Sequence, residues 1–295
     1  MADTFKKFFK AQLGGIQEES FPKSSHTYNF MSYHGHKHTQ HFKASDYVKH
    51  NKRYFKLDYN QLQMLDGLMN SGGYEKRYID RSKNLRFSEH FGLLDFSKTR
   101  LQKIIVSAKT GREDEDDMEI LLPMDLPDIK EYEYMFHTHP PTPFPGSRVQ
   151  EGIIYEFPSI SDIYHFADHY NSGETQGSLV IAPEGIYIIK AIDGLKKIEY
   201  PKLESVYDEL VSGTFQIQQL AIDKYNLSGD VEVNSDLFYS EIAHDNEFIR
   251  MFNRLIEYYW GPQIKIYLKP RVFDEKVNKW IIKSLLLPVM SYELK

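Results

Sequence analysis

Residues 132–162 narrow the choice of fold more than any other stretch of the chain. Tyr132 to Phe136 (YEYMF) reads as a short strand that ends at His137-Thr138-His139-Pro140. A Pro-rich, Gly-containing loop follows from Pro141 to Phe157, and Ser159 opens a helix (SISDIYHFADHY). A chain that strings strand, loop and helix together in this way layers helices on a sheet. On a strand, residues i and i+2 share a face, so both imidazoles project together, which suits two ligands of one zinc ion. Catalytic zinc takes three protein ligands and a water, so a carboxylate or another His must complete the set. The sequence has no Cys, which excludes disulfides, Cys-ligated zinc, iron–sulfur clusters and a cysteine nucleophile. Asp162, in the first turn of the helix, is the candidate third ligand. Taken alone, Ser159-x-x-Asp162 is a capping box with Asp in place of Glu or Gln. Taken with the two histidines upstream, it reads as a ligand.

The string His137-x-His139-Pro140, then Ser159-x-x-Asp162, resembles the JAMM signature of the MPN/JAB metallopeptidases. That family also carries a glutamate on an upstream strand of the form E-x-x-G-L-L, which Glu89-His90-Phe91-Gly92-Leu93-Leu94 matches. The element order agrees over about residues 55–200. The resemblance implies an α/β (α+β) fold, a cytidine-deaminase-like mixed sheet flanked by helices. It also implies roles. His137, His139 and Asp162 would hold Zn²⁺, Glu89 would move the proton of the zinc-bound water, and Ser159 would hydrogen-bond the tetrahedral oxyanion. Thr138 would point away from the metal. The chain departs from the family in its loop, since nineteen residues, 140–158, separate His139 from Ser159. Extra loop length costs little closure entropy, so the ends still fit.

Around this core, residues 1–54 form a polar arm holding six of the 12 histidines: His26, His34, His36, His38, His41 and His50. Phe5, Phe8, Phe9, Leu13 and Ile16 have the spacing of an amphipathic helix at its start. Tyr59 to Met69 predicts a helix with Leu62, Leu65 and Met69 on one face, stopped by Ser71-Gly72-Gly73. Arg86–Phe96 and Leu101–Ala108 predict paired strands, Met118–Leu122 a third, with a solvated acidic turn at 109–117 between the last two. Ser178–Ala182 and Gly185–Ile192 predict a hairpin turning at Pro183-Glu184. Residues 201–295 predict a mainly helical extension: helices over Leu203–Tyr225, Leu237–Tyr259 and Val277–Leu287, and a strand at Ile264–Leu268. His165 and His169 read as surface or supporting residues. Glu119, Glu131 and Glu133 read as solvent-facing strand residues.

The net charge is −6, which argues against a general nucleic-acid binder. The most apolar stretch, Trp280 to Met290, is about half the roughly 20 residues a membrane span needs. Other HxH folds fit worse. Zinc deaminases need cysteines, and amidohydrolase barrels need later histidines on repeated βα units. The leading expectation is therefore an intracellular zinc metallopeptidase acting on a protein or peptide amide, with ubiquitin or a ubiquitin-like modifier implied by the resemblance. The alternative is an assembly subunit of a large complex or virion that uses the same core as a scaffold. The extensions and the 14% aromatic content favour that alternative.

Overall fold

The computed structural model describes residues 47–75, 77–79, 85–87, 89–97, 100–106, 131–139, 145–193, 195–199, 201, 203–227 and 233–294. The expected N-terminal helix, the histidines up to His41, the acidic turn at 109–117 and the strand at 118–122 lie outside them. All described residues fall within one compact unit, Thr39–Lys295.

Eight strands make one mixed sheet. They are β1 (Tyr47–Leu57), β4 (Phe91–Ser97), β5 (Arg100–Val106), β6 (Tyr134–Thr138), β7 (Gly177–Ile181), β8 (Gly185–Ala191), β9 (Ile264–Pro270) and β12 (Leu285–Leu294), in the order β12-β1-β5-β4-β6-β7-β8-β9. Two small hairpins stand apart, β2 (Arg77–Ile79) with β3 (Leu85–Phe87) and β10 (Val272–Asp274) with β11 (Lys279–Ile281). The helices are α1 (Tyr59–Glu75), α2 (Ile160–Ser172), α3 (Leu203–Lys224), α4 (Ser235–Ser240) and α5 (Asn246–Trp260). No helix among the described residues is long and apolar enough to cross a membrane.

The predicted apolar stripe of α1 is the reason this helix docks. Leu62, Leu65 and Met69 are buried against Leu94, Phe136, Leu179, Ile181 and Ile186 on one face of the sheet. Each such side chain contributes roughly 2 kcal/mol. The helix starts where Gln61 Oε1 accepts the Asp58 N–H at 2.9 Å. It runs on to Glu75 rather than stopping at Ser71-Gly72-Gly73.

The opposite face carries His137, Val180 and Tyr187 by strand alternation. There Phe157 meets the Tyr187 ring at 5.8 Å and stacks on Phe252 of α5 at 4.8 Å. Strand β6 runs parallel to β7, Phe136 opposite Leu179 and Thr138 opposite Ile181, with α2 as the crossover between them.

The extension over 201–295 is mainly helical, through α3, α4 and α5, and its strand at 264–268 lies within β9; it also adds β10, β11 and β12, and β9 and β12 join the main sheet. Three expectations are corrected. Residues 277–287 are not a helix but β11 and the start of β12. Leu285, Leu286 and Leu287 alternate buried, exposed, buried, and Pro288 is accommodated because β12 lies at the sheet edge. The single helix expected over 237–259 is broken into α4, a 3-10 turn at Ile242–His244, and α5. Asn234 caps α4 and Asp245 caps α5, the latter accepting the Glu247 N–H at 2.9 Å. Strand β1 begins at Tyr47, inside the region read as an irregular arm, and pairs antiparallel with β12, Phe55 opposite Leu287.

Candidate metal centre

All five residues of β6 are buried, and His137 is its fourth. His139 lies just past the strand end, with its backbone N–H donating to Ile181 O at 2.9 Å. On the other side of β6, β4 runs antiparallel with Phe91 opposite His137. The ladder continues past β4, because Thr138 N donates to His90 O at 3.0 Å and His90 N donates to Thr138 Oγ1 at 2.9 Å. Thr138 is thus engaged with the neighbouring strand. The same register sets Glu89 opposite His139, on the His137 face. Glu89 was expected on the strand; it precedes β4 by two residues, and β3 and β4 replace the single strand predicted over 86–96.

Gly92 of the E-x-x-G-L-L string has a steric reason. A Cβ there would stand 2.2 Å from Ile105 O and 2.5 Å from the Phe136 ring. Strand β4, which Glu89 precedes, can lie beside the strand carrying His137 because position 92 has no side chain.

Ser159 caps α2 and Asp162 closes a capping box with it. Ser159 Oγ accepts the Asp162 N–H at 3.1 Å, and Asp162 Oδ2 accepts the Ser159 N–H at 2.6 Å. The same carboxylate reaches both imidazoles. Asp162 Oδ1 is 3.2 Å from His137 Nε2, Asp162 Oδ2 is 3.5 Å from His139 Nε2, and the two Nε2 atoms are 3.2 Å apart. Tetrahedral ligands at about 2.0–2.1 Å from a small divalent ion stand about 3.3 Å from one another. The two Nε2 atoms fit that spacing, and the carboxylate brings one oxygen to each of them at a similar distance. The three residues form a group that could hold a metal ion, and His165 and His169 are not part of it. His165 is exposed on α2. His139 Nδ1 donates to the Glu156 carbonyl at 3.2 Å, which turns Nε2 toward the centre.

The electrostatics agree with a cation site. The side chains of His137, His139 and Asp162 are only 7%, 12% and 14% exposed, so their charges are weakly screened. Burial opposes protonation of His139, but Glu89, Asp162 and Glu156 outweigh it and push the imidazole up to about 10. Burial likewise opposes ionisation of Asp162, yet His137 and His139 hold it well below the usual carboxylate range. Burial raises Glu89, with His139 and His137 pulling the other way. Two carboxylates around two imidazoles demand positive charge, from protons or from a metal ion.

Sequence reasoning missed the support behind this group. Arg148 donates from Nη1 to the Glu156 carboxylate at 2.9 and 3.2 Å and pairs with Glu151 at 3.1 Å. Gln218 of α3 accepts from Ile154 N and Tyr155 N at 3.0 and 2.9 Å and donates to Tyr155 O at 2.6 Å. Tyr155 Oη donates to Ile242 O at 2.8 Å. The long loop after His139 is therefore held by residues 201–295. No local pattern marks Gln218 or Glu156, because their partners are distant in sequence. Of the rivals to Glu89, Glu131 is exposed and Glu133 lies at the end of β6 opposite His137, while Glu119 falls outside the described residues.

No family model and no solved structure matches the chain. The chain is similar to "Uncharacterized protein R413" of Acanthamoeba polyphaga mimivirus, with 32% identity over 243 residues that cover 81% of this chain and 66% of that protein.

Proposed function

We propose that the chain is a zinc-dependent metallopeptidase of the MPN/JAB type, hydrolysing an amide or isopeptide bond of a protein or peptide. The convergence of His137, His139 and Asp162 at 3.2–3.5 Å, with Glu89 in register beside them, carries the reading. The resemblance points to ubiquitin or a ubiquitin-like modifier as the substrate class. His137, His139 and Asp162 would hold the zinc. When bound, zinc would supply Lewis acidity and lower the pKa of a bound water to about 7. The Glu89 carboxylate takes the proton of the attacking water and hands it to the leaving amine nitrogen. Its upward shift on burial suits it to both halves of that transfer. Ser159 Oγ already accepts from the Asp162 N–H, so its own proton is available to the developing oxyanion.

The test is Glu89→Gln, assayed on zinc-loaded protein against peptide and ubiquitin-like substrates. Zinc content should stay at the wild-type level, while hydrolysis falls by about 10²-fold or more, as loss of a general base does. Equal activity in variant and wild type would remove Glu89 from the mechanism. A second reading, an assembly subunit of a virion or large intracellular complex, is favoured by the viral relative. It requires stable higher-order association and no loss of function in Glu89→Gln.

A further inference from the structure

Glu184 stands in the turn between β7 and β8 and is fully buried. Its Oε1 accepts the Glu156 N–H at 2.7 Å and the Tyr187 hydroxyl at 2.5 Å. Glu156 in turn offers its carbonyl to His139 Nδ1 at 3.2 Å. The turn itself is clamped. Arg271 Nε donates to Pro183 O at 2.6 Å and Nη2 to Ala182 O at 3.1 Å, while the Arg271 N–H donates to Glu184 O at 3.3 Å. The Arg271 guanidinium is tied to Asp66 of α1 at 2.7 and 2.8 Å. The carboxylate at the end of this chain of contacts cannot drift. Its Oε2 has no hydrogen-bond partner among the described residues.

We propose that Glu184 is a positioning residue for His139, holding the Glu156 backbone so that its carbonyl fixes the ring with Nε2 turned into the centre. The proposal rests on the metal-site reading of His137, His139 and Asp162. Ring orientation of this kind is what outer partners of metal-bound histidines supply. Glu184 touches neither the imidazoles nor Asp162. It acts through one peptide strand, 154–156, whose other end Gln218 already grips.

The experiment compares wild-type full chain with Glu184→Leu and Glu184→Gln. Leu keeps the bulk and removes the acceptor; Gln keeps Oε1 and removes the charge. The probe is Co(II), counted as binding beyond that of Asp162→Ala, which subtracts metal held elsewhere on the chain. Glu184→Leu should weaken binding about 10–100-fold, and Glu184→Gln should restore it to within about threefold. A second readout needs no metal: the His139 Nδ1 proton, followed by NMR, should lose its slow exchange in Glu184→Leu and keep it in Glu184→Gln. A Glu184→Leu protein with wild-type Co(II) affinity and a slow Nδ1 proton, whatever its melting temperature, overturns the proposal. So does Glu184→Gln failing as badly as Leu. Should Leu not fold, Glu184→Asp, one methylene short of Glu156, is read by the same two criteria. If wild type binds no more Co(II) than Asp162→Ala, the metal reading fails, and the Nδ1 proton still decides the role of Glu184.

Discussion

The Asp162 carboxylate commits Oδ2 to the Ser159 N–H at 2.6 Å and still brings Oδ1 to 3.2 Å from His137 Nε2. A capping box and a metal ligand are usually weighed against each other, and here one side chain has the geometry of both. The first turn of α2 also favours a negative charge at this point. The two roles separate by substitution. Asp162→Asn keeps an oxygen for the Ser159 N–H and loses the anionic ligand. Asp162→Ala loses both. Zinc content by mass spectrometry should drop by one equivalent in each. The metal-free melting curve should show both variants less stable, since each loses the anion that pairs with the two imidazoles, with Ala below Asn by about 1 kcal/mol, the worth of a cap. Full zinc in Asp162→Asn would make the carboxylate a cap alone.

Strand β4 shows what a short motif can and cannot reveal. The Glu89 and Gly92 positions stood out in the sequence, but the reason for the glycine did not, because the Phe136 ring and Ile105 carbonyl that fill its space are remote in the chain. Gly92→Ala should cost more than about 2 kcal/mol by denaturant titration, since backbone as well as a ring must shift. A neutral result would mean that β4 and β6 can separate without harm. The histidine pair, the Ser159 cap, β5, β7, β8 and α3 were legible because each rests on local periodicity or a local cap. The strands after residue 270 were not. The run WIIKSLLLPVM fits helical and alternating periods alike, and only pairing with β1 across more than 200 residues decides it. The one local signal nearby was Asp274, whose Oδ1 accepts the Lys276 N–H at 3.0 Å to turn β10 into β11. Asp245 between α4 and α5 was a missed cap of the same kind.

The whole molecule carries buried acids and a buried base whose shifts set how its stability answers to pH. Glu184 is raised from 4.5 to about 7 by burial. Its folded form holds a proton that the unfolded form has released, so stability falls as pH rises from 4.5 through 7, by on the order of 3 kcal/mol. Burial raises Glu133 and Glu89 in the same sense. His139, raised from 6.5 to about 10, gives stability fully present below 6.5 and lost as pH climbs toward 10. Asp162 and Asp245 are lowered, so their contributions stand above the ordinary 3.8 and vanish only in stronger acid. The metal-free protein should therefore be most stable near pH 4–5 and melt progressively lower up to pH 8. Zinc reverses the trend at its own site, because its ligands bind it deprotonated and it competes with the proton that stabilises His139 in the metal-free protein. The rise in melting temperature on adding zinc should be small at pH 5 and grow steadily to pH 8. Repeating the scan in Asp162→Asn should abolish that growth while leaving the decline due to Glu184 in place. A zinc effect that is flat across this range, or equal in Asp162→Asn, would locate the bound metal away from β6 and α2.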